Sequence, residues 1–116
     1  MTKFSLKNKV AIVTGGGSGI GKAISLTFAE QDAKVHILDF NIEAANETAH
    51  EISKKGKEAT AHKCDVANQL NVNEIIHNII GTEKIDILIN NAGIAHVGNI
   101  EHCEEKDLDR LYNINI

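Results

Sequence analysis

The sequence predicts a doubly wound α/β domain, a parallel sheet with helices on both faces. Three observations carry this expectation. Short continuous apolar runs recur, "VAIVT" (10–14) and "IDILIN" (85–90) above all, as strands buried on both faces require. Between such runs lie stretches with apolar residues at helical spacing. The connections are short, so each strand–helix–strand unit must close as a right-handed crossover onto a parallel neighbour.

Taken in order, "VAIVT" is the first strand, followed by a glycine loop and a helix whose stripe is Ile20, Ala23, Ile24, Thr27 and Phe28. "KVHILD" is a second strand ending at Asp39. Ala45, Thr48, Ala49 and Ile52 form the buried stripe of a second helix, closed near Gly56. "EATAHKCDV" is a third strand, polar enough to lie at or near a sheet edge. Val72, Ile75, Ile76, Ile79 and Ile80 make the cleanest helical stripe, ending at Gly81. "IDILIN" is the fourth strand, and an amphipathic run from about Glu104 to Ile116 with Leu108, Leu111 and Tyr112 reads as a last helix. The expected strand order is 3-2-1-4.

A length of 116 residues suits one compact domain, 1–116, with a real core. Twelve basic against sixteen acidic residues give a net charge of −4, which argues against a nucleic-acid or anionic-membrane surface. No apolar run approaches membrane-spanning length, and "MTKFSLKNKV" lacks the apolar core of a signal peptide. Cys64 and Cys103 fit no metal or redox spacing, so reduced thiols in a cytoplasmic protein are expected. Six histidines show no metal-site spacing; His96, after the fourth strand, is expected to face solvent.

The chemistry concentrates in "TGGGSGIGKA" (14–23), which admits two nucleotide-binding spellings. Gly16 to Lys22 spells the start of a triphosphate-binding loop. That loop needs Ser or Thr after the lysine to ligate Mg²⁺, and here the position is Ala23, a methyl expected to face the sheet. Lys22 then reads as a surface lysine. From Gly15 the stretch reads G-x-x-x-G-x-G, the turn that seats a dinucleotide pyrophosphate on a helix N-terminus. In that reading Gly15 permits the sharp exit from the strand, Gly19 lets phosphate approach the backbone, and Gly21 lets the helix pack closely. A plain strand-to-helix loop with chance glycines is the alternative. Asp39 ends the second strand, where a dinucleotide's adenosine ribose arrives. Its carboxylate can accept from both ribose hydroxyls and would repel a 2′-phosphate, so NAD is expected over NADP.

With these residues in view, the chain resembles the N-terminal, cofactor-binding half of a short-chain dehydrogenase/reductase, over essentially its whole length. The family's T-G-x-x-x-G-I-G stands as Thr14 to Gly21, with Gly15, Gly17, Ser18, Gly19, Ile20 and Gly21 at the cofactor. Its third strand's Asp plus a small or apolar residue is matched by Asp65 and Val66, which the resemblance places at the adenine; Phe40 follows Asp39 at the adenosine end. Its N-N-A-G is intact as Asn90 to Gly93, and the resemblance gives Asn91, Ala92 and Gly93 a cofactor-binding role. "LYNINI" resembles the helix with the family's supporting active-site asparagine, a role that falls to Asn115 with Asn113 as runner-up.

The resemblance implies a Rossmann-type fold, a nicotinamide cofactor, a small alcohol or carbonyl substrate, and a homotetramer or homodimer. It also implies a catalytic Ser and a Tyr-x-x-x-Lys, neither of which has a counterpart here. Tyr112 is the only tyrosine and is followed by Asn113, Ile114, Asn115 and Ile116. Two expectations follow. One is the cofactor-binding part of a longer oxidoreductase, cut after strand 4 and the following helix, and inactive alone. The other is a non-catalytic dinucleotide-binding or sensing module. The first is favoured, because strand 4 would otherwise be a bare hydrophobic edge.

Overall fold

Val10–Thr14 forms β1, every residue of it buried, and it sits at the centre of the sheet as its unbroken apolar character requires. The computed structural model describes residues 5–91 and 112–115. After β1 come α1 (Gly19–Glu30), β2 (Lys34–Asp39), α2 (Ile42–Lys54), β3 (Ala59–Lys63), α3 (Gln69–Ile80), β4 (Ile87–Asn90) and β5 (Tyr112–Asn115). The strands run parallel in the order β3-β2-β1-β4-β5. The order reverses direction between β1 and β4, so the carboxyl ends of these two strands flank a crevice where neighbouring connections diverge.

Alternation along the strands divides the core into two layers. Ala11, Val13, Val35, Ile37, Ile87 and Ile89 face Ala29, Ala45 and Ile52 of α1 and α2. Ile12, Leu38 and Leu88 face Val72, Ile76 and Ile79 of α3, with Ile85 and Cys64 completing that layer. The predicted stripes of α2 and α3 are the buried ones. Both helices also start on an asparagine cap. Asn41 Oδ1 accepts from the Ala44 N–H at 3.1 Å, and Asn68 Oδ1 accepts from Leu70 and Asn71 at 3.0 and 3.2 Å.

Two expectations are corrected. The innermost line of α1 is Gly21, Ser25 and Ala29, with Ile24, Leu26 and Phe28 flanking; Ile20, Ala23 and Thr27 are exposed. Small residues bring the helix axis close to the sheet, which a stripe of large side chains could not do. The second correction concerns the last segment. Residues 112–115 form a strand paired with β4, Ile87 opposite Tyr112 and Asn90 opposite Asn115, where a helix was expected. Tyr and Ile favour strands, Asn disfavours helices, and the edge of β4 offers backbone groups that need partners. The edge of β4 is therefore covered, and the sheet has a fifth strand beyond the four expected. Leu108 and Leu111 lie outside the described residues.

The α3 layer rests on few side chains, so a cavity there should be costly. Ile76→Ala is expected to destabilise the fold by about 2–5 kcal/mol in denaturant titration, and Ile75→Ala, at a half-buried position, by clearly less.

Candidate functional site

The glycine loop joins the carboxyl end of β1 to the start of α1, and the Gly15 peptide is its anchor. Gly15 sits at φ 67°, a left-handed conformation that glycine adopts without cost. Its N–H donates to the Leu38 carbonyl of β2 at 2.7 Å, and its own carbonyl accepts from Asn91 Nδ2 at 3.3 Å. Gly21 packs against that same carbonyl. A Cβ at Gly21 would run into the Gly15 oxygen and lie 2.7 Å from Asn91 Nδ2. Close packing was expected of Gly21, and the neighbour it spares is the loop itself.

Asn90 and Asn91 tie the end of β4 to the end of β1. Thr14 Oγ1 accepts the Asn91 N–H at 3.1 Å and donates toward the Ile89 carbonyl (3.3 Å) and Asn90 Oδ1 (3.2 Å). Thr14 and Asn90 are buried, and they lock the ends of β1 and β4 in register. The sequence signal for the threonine is a hydroxyl ending an apolar strand.

Asp39 meets the loop directly. Its Oδ2 accepts the Gly17 N–H at 3.0 Å and its Oδ1 the Asn41 N–H at 3.0 Å. A Cβ at Gly17 would lie 2.7 Å from Asp39 Oδ2 and 2.9 Å from the Ala45 nitrogen, so glycine is needed there for the carboxylate's approach. Thr48 Oγ1 donates to the Gly17 carbonyl at 3.2 Å, a contact not foreseen from sequence. Gly16 is less tight; a Cβ there would lie 3.0 Å from Ile37 Cγ2 and from Ser25 Oγ. Phe40 is 64% exposed, and Lys63 Nζ stands 5.6 Å from its ring centroid. Asp65 is exposed beyond the end of β3, its N–H held by Asn71 Oδ1 at 2.8 Å, while Val66 packs on the α3 layer.

Ser18, Gly19 and Ile20 are exposed at the start of α1. Gly19 has φ 58°, and a Cβ there would meet nothing within 4 Å. Unlike α2 and α3, α1 has no side-chain cap, and its first turn holds no acidic residue. Its first N–H groups and positive dipole end therefore face open space beside the crevice, the condition an anion needs. Lys22 pairs with Glu51 of α2 at 3.0 Å, in keeping with a surface lysine. Ala92, Gly93, His96 and Cys103 lie outside the described residues. Asn115 is described as part of β5, opposite Asn90. Helical spacing is the ground for preferring it to Asn113, and the segment is a strand, so that ground is gone.

Other chemistry lies away from this edge. An open cleft of about 450 Å³ sits at the amino ends of the strands, lined in part by Lys7, Lys34, Lys57 and Glu83. Its charges are largely paired, Lys34 with Glu83 and Lys57 with Asp32. The loop and Asp39 are at the opposite end, and the helix-terminus geometry is found only there. Cys64 is buried, and burial, with the Asp65 charge beside it, pushes its thiol up to about 11, which suits an inert core residue. Among the described residues no group of three or more His, Cys, Asp or Glu could hold a metal ion. Nor is any described helix long and apolar enough to cross a membrane.

A parallel sheet with a glycine loop at its switch point, an uncapped helix behind it and an acid ending β2 defines a Rossmann-type nucleotide-binding domain. The chain belongs to the short chain dehydrogenase family, whose model matches residues 9–116. It is 43% identical over 112 residues to the 7alpha-hydroxysteroid dehydrogenase of Escherichia coli strain K12, covering 96% of this chain and 44% of that one. A 7 alpha-hydroxysteroid dehydrogenase complexed with NADH and 7-oxo glycochenodeoxycholic acid superposes with a TM-score of 0.73 at 40% identity, over 77% of this chain and 35% of that one. The Pseudomonas aeruginosa RhlG/NADP complex superposes with a TM-score of 0.71 at 33% identity, over 80% of this chain and 38% of that one. The chain spans less than half the length of the curated relatives it matches.

The two loop glycines should respond differently to a methyl group. Gly19→Ala meets no atom and bears only the left-handed backbone penalty, about 1–2 kcal/mol. Gly21→Ala must push the helix off the Gly15 carbonyl, and the overpacking should cost about 3 kcal/mol or more. Equal midpoint shifts in chemical denaturation would contradict this assignment.

Proposed function

We propose that this chain is the cofactor-binding part of an NAD(P)-dependent oxidoreductase that moves hydride between the nicotinamide and a small alcohol or carbonyl substrate. The observation that carries the reading is the uncapped N-terminus of α1 behind a loop whose one exposed left-handed glycine leaves room for phosphate. The residues fit the cofactor. Ser18, Gly19 and Ile20 would present backbone N–H groups to the pyrophosphate, with Gly15, Gly17 and Gly21 shaping the loop. Asp39 would receive the adenosine ribose, with Phe40 beside it, and Asp65 and Val66 would border the adenine. Asn91, Ala92 and Gly93 would line the crevice toward the nicotinamide end.

The cofactor supplies the hydride; the protein must hold it and move a proton to or from the substrate oxygen. The described residues account for the holding. The loop is fixed from three sides, by Leu38, Asn91 and Asp39, before any ligand arrives. The proton transfer would fall to the Ser and Tyr-x-x-x-Lys implied by family membership, with Asn115 in a supporting place. A homo-oligomer acting in the cytoplasm completes the proposal.

NAD is proposed over NADP. The similar structures include one with NADH and one with NADP, so the choice rests on Asp39. Its carboxylate is held against the loop by the Gly17 and Asn41 N–H groups and cannot swing away from a 2′-phosphate without giving up both bonds. Titration with NADH and NADPH should show tighter NADH binding. Asp39→Asn, which keeps an acceptor oxygen but removes the charge, should narrow the ratio by about tenfold, or about 1.4 kcal/mol. An unchanged ratio would refute the ribose assignment. Tight Mg²⁺-dependent ATP binding without NADH binding would refute the whole reading.

A further inference from the structure

Far from the glycine loop, the α3 layer holds one polar group among its apolar side chains. His36 of β2 is buried, and both its ring nitrogens are engaged. Nδ1 lies 2.9 Å from Nε2 of His62 on β3, and Nε2 lies 2.6 Å from Glu83 Oε2 in the turn after α3. The other oxygen of Glu83 meets Lys34 Nζ at 3.1 Å. The chain Lys34–Glu83–His36–His62 thus joins the edge strand β3, its neighbour β2 and the α3–β4 turn. None of these residues belongs to the glycine-loop site.

Proton count follows from the donors and acceptors. The Glu83 carboxylate only accepts, so His36 Nε2 carries a hydrogen. In the neutral pair His36 Nδ1 is then the acceptor, and His62 donates from Nε2. The ring centroids are 5.1 Å apart, which is the 2.9 Å contact plus one ring radius at each end, so the rings meet head-on. That geometry suits one shared hydrogen and leaves no point where both lone pairs could converge on a metal ion. One added proton is tolerated, because His62 as a cation still donates from Nε2. A second proton is not. Both facing nitrogens would then carry hydrogen, and two donors and two like charges would oppose each other at 2.9 Å.

We propose that His36, His62 and Glu83 form a proton-operated latch on the edge strand, closed while the histidine pair carries at most one extra proton and opened by the second. The groups acting on it can be named from each side. β2 contributes Lys34, β3 contributes His62, the α3–β4 turn contributes Glu83, and β1 contributes no titratable or charged group. α3 turns Val72, Ile76 and Ile79 to this face and keeps Glu74 and His77 on its exposed side. Burial is the largest influence holding both histidines below their usual range, and it outweighs the attraction of Glu83 for His36. The unfolded chain therefore takes up more protons than the folded one. The latch's contribution is complete above about pH 6.5 and is lost as pH falls toward the depressed folded values.

The test compares the protein with His62→Gln, whose amide can still donate to His36 Nδ1 but cannot be protonated. Amide hydrogen exchange across 59–63 and the unfolding equilibrium are followed from pH 8 to pH 5. In the unmodified protein the opening constant should rise by more than tenfold per pH unit in the acid part of this range, up to about a hundredfold where two protons are taken up together. In His62→Gln it should rise at least several-fold less steeply, with stability at pH 8 retained. Identical slopes in the two proteins would overturn the latch. Nitrogen NMR of the unmodified protein gives a second reading that does not depend on the variant folding. Both rings should carry hydrogen on Nε2 at pH 8, and a hydrogen on His36 Nδ1 at that pH would overturn the proposal equally.

Discussion

Gly15 is the joint on which the carboxyl edge of the sheet depends. Its N–H is taken by β2, its carbonyl by the Asn91 side chain at the end of β4, and the same carbonyl forms the floor on which α1 rests at Gly21. One residue so fixes three strands and a helix relative to one another. Each contact limits its neighbours. Asn91 can reach the carbonyl only because Thr14 holds the Asn91 backbone, and α1 can come close only because Gly21 and Ser25 are small. Ser25 uses its hydroxyl on the Gly21 carbonyl at 2.9 Å, so burying it leaves no unpaired group.

This joint explains why the N-terminus of α1 is left open when α2 and α3 are capped by asparagine. A side-chain cap at Ser18 would satisfy the first turn but close the only place where loop, helix dipole and crevice coincide. The Ser18 side chain makes no cap bond and its backbone is extended. The orphan N–H groups of a helix start are a cost that capping normally removes. Leaving them exposed beside a loop pinned by Leu38, Asn91 and Asp39 is what the proposed pyrophosphate seat requires, with stability drawn from Gly15 and Thr14.

Much of this was legible in the sequence, for identifiable reasons. Continuous apolar runs gave β1, β2 and β4, and the isoleucines of α3 gave its buried face, because burial on both faces or along one stripe leaves a strong pattern. The stripe of α1 was misread, since its inward line is made of glycine, serine and alanine, which carry little hydrophobic signal. Residues 112–115 were read as helix because leucine spacing upstream continued a helical period. Pairing with β4, a long-range contact, decided otherwise. Strand-end location suggests Asp39 for the ribose position, yet its bond to the Gly17 N–H has no signature in sequence, as it joins residues 22 apart. The histidine pair was invisible for the same reason. Its members are 26 residues apart and no metal or catalytic spacing marks them.

The two ends of the sheet handle polar groups in opposite ways. At the carboxyl edge they are spread over backbone amides and short side chains, and Asp39 is the charged group bonded to the glycine loop. Toward the α3 face of β2 and β3 they are gathered into a chain of titratable groups in an otherwise apolar layer. A buried ring there is tolerable only while every nitrogen is partnered, because an unpaired polar group in such a layer costs more than its bond returns. β3 has little else on this face. Its sequence, "ATAHK", alternates small and polar residues, and no position in it is fully buried. The edge strand therefore depends on backbone pairing with β2, packing against α2, and the imidazole bridge. Of these three, the bridge is the one whose bonding changes within the ordinary pH range, which makes β3 the part of the sheet most responsive to acid.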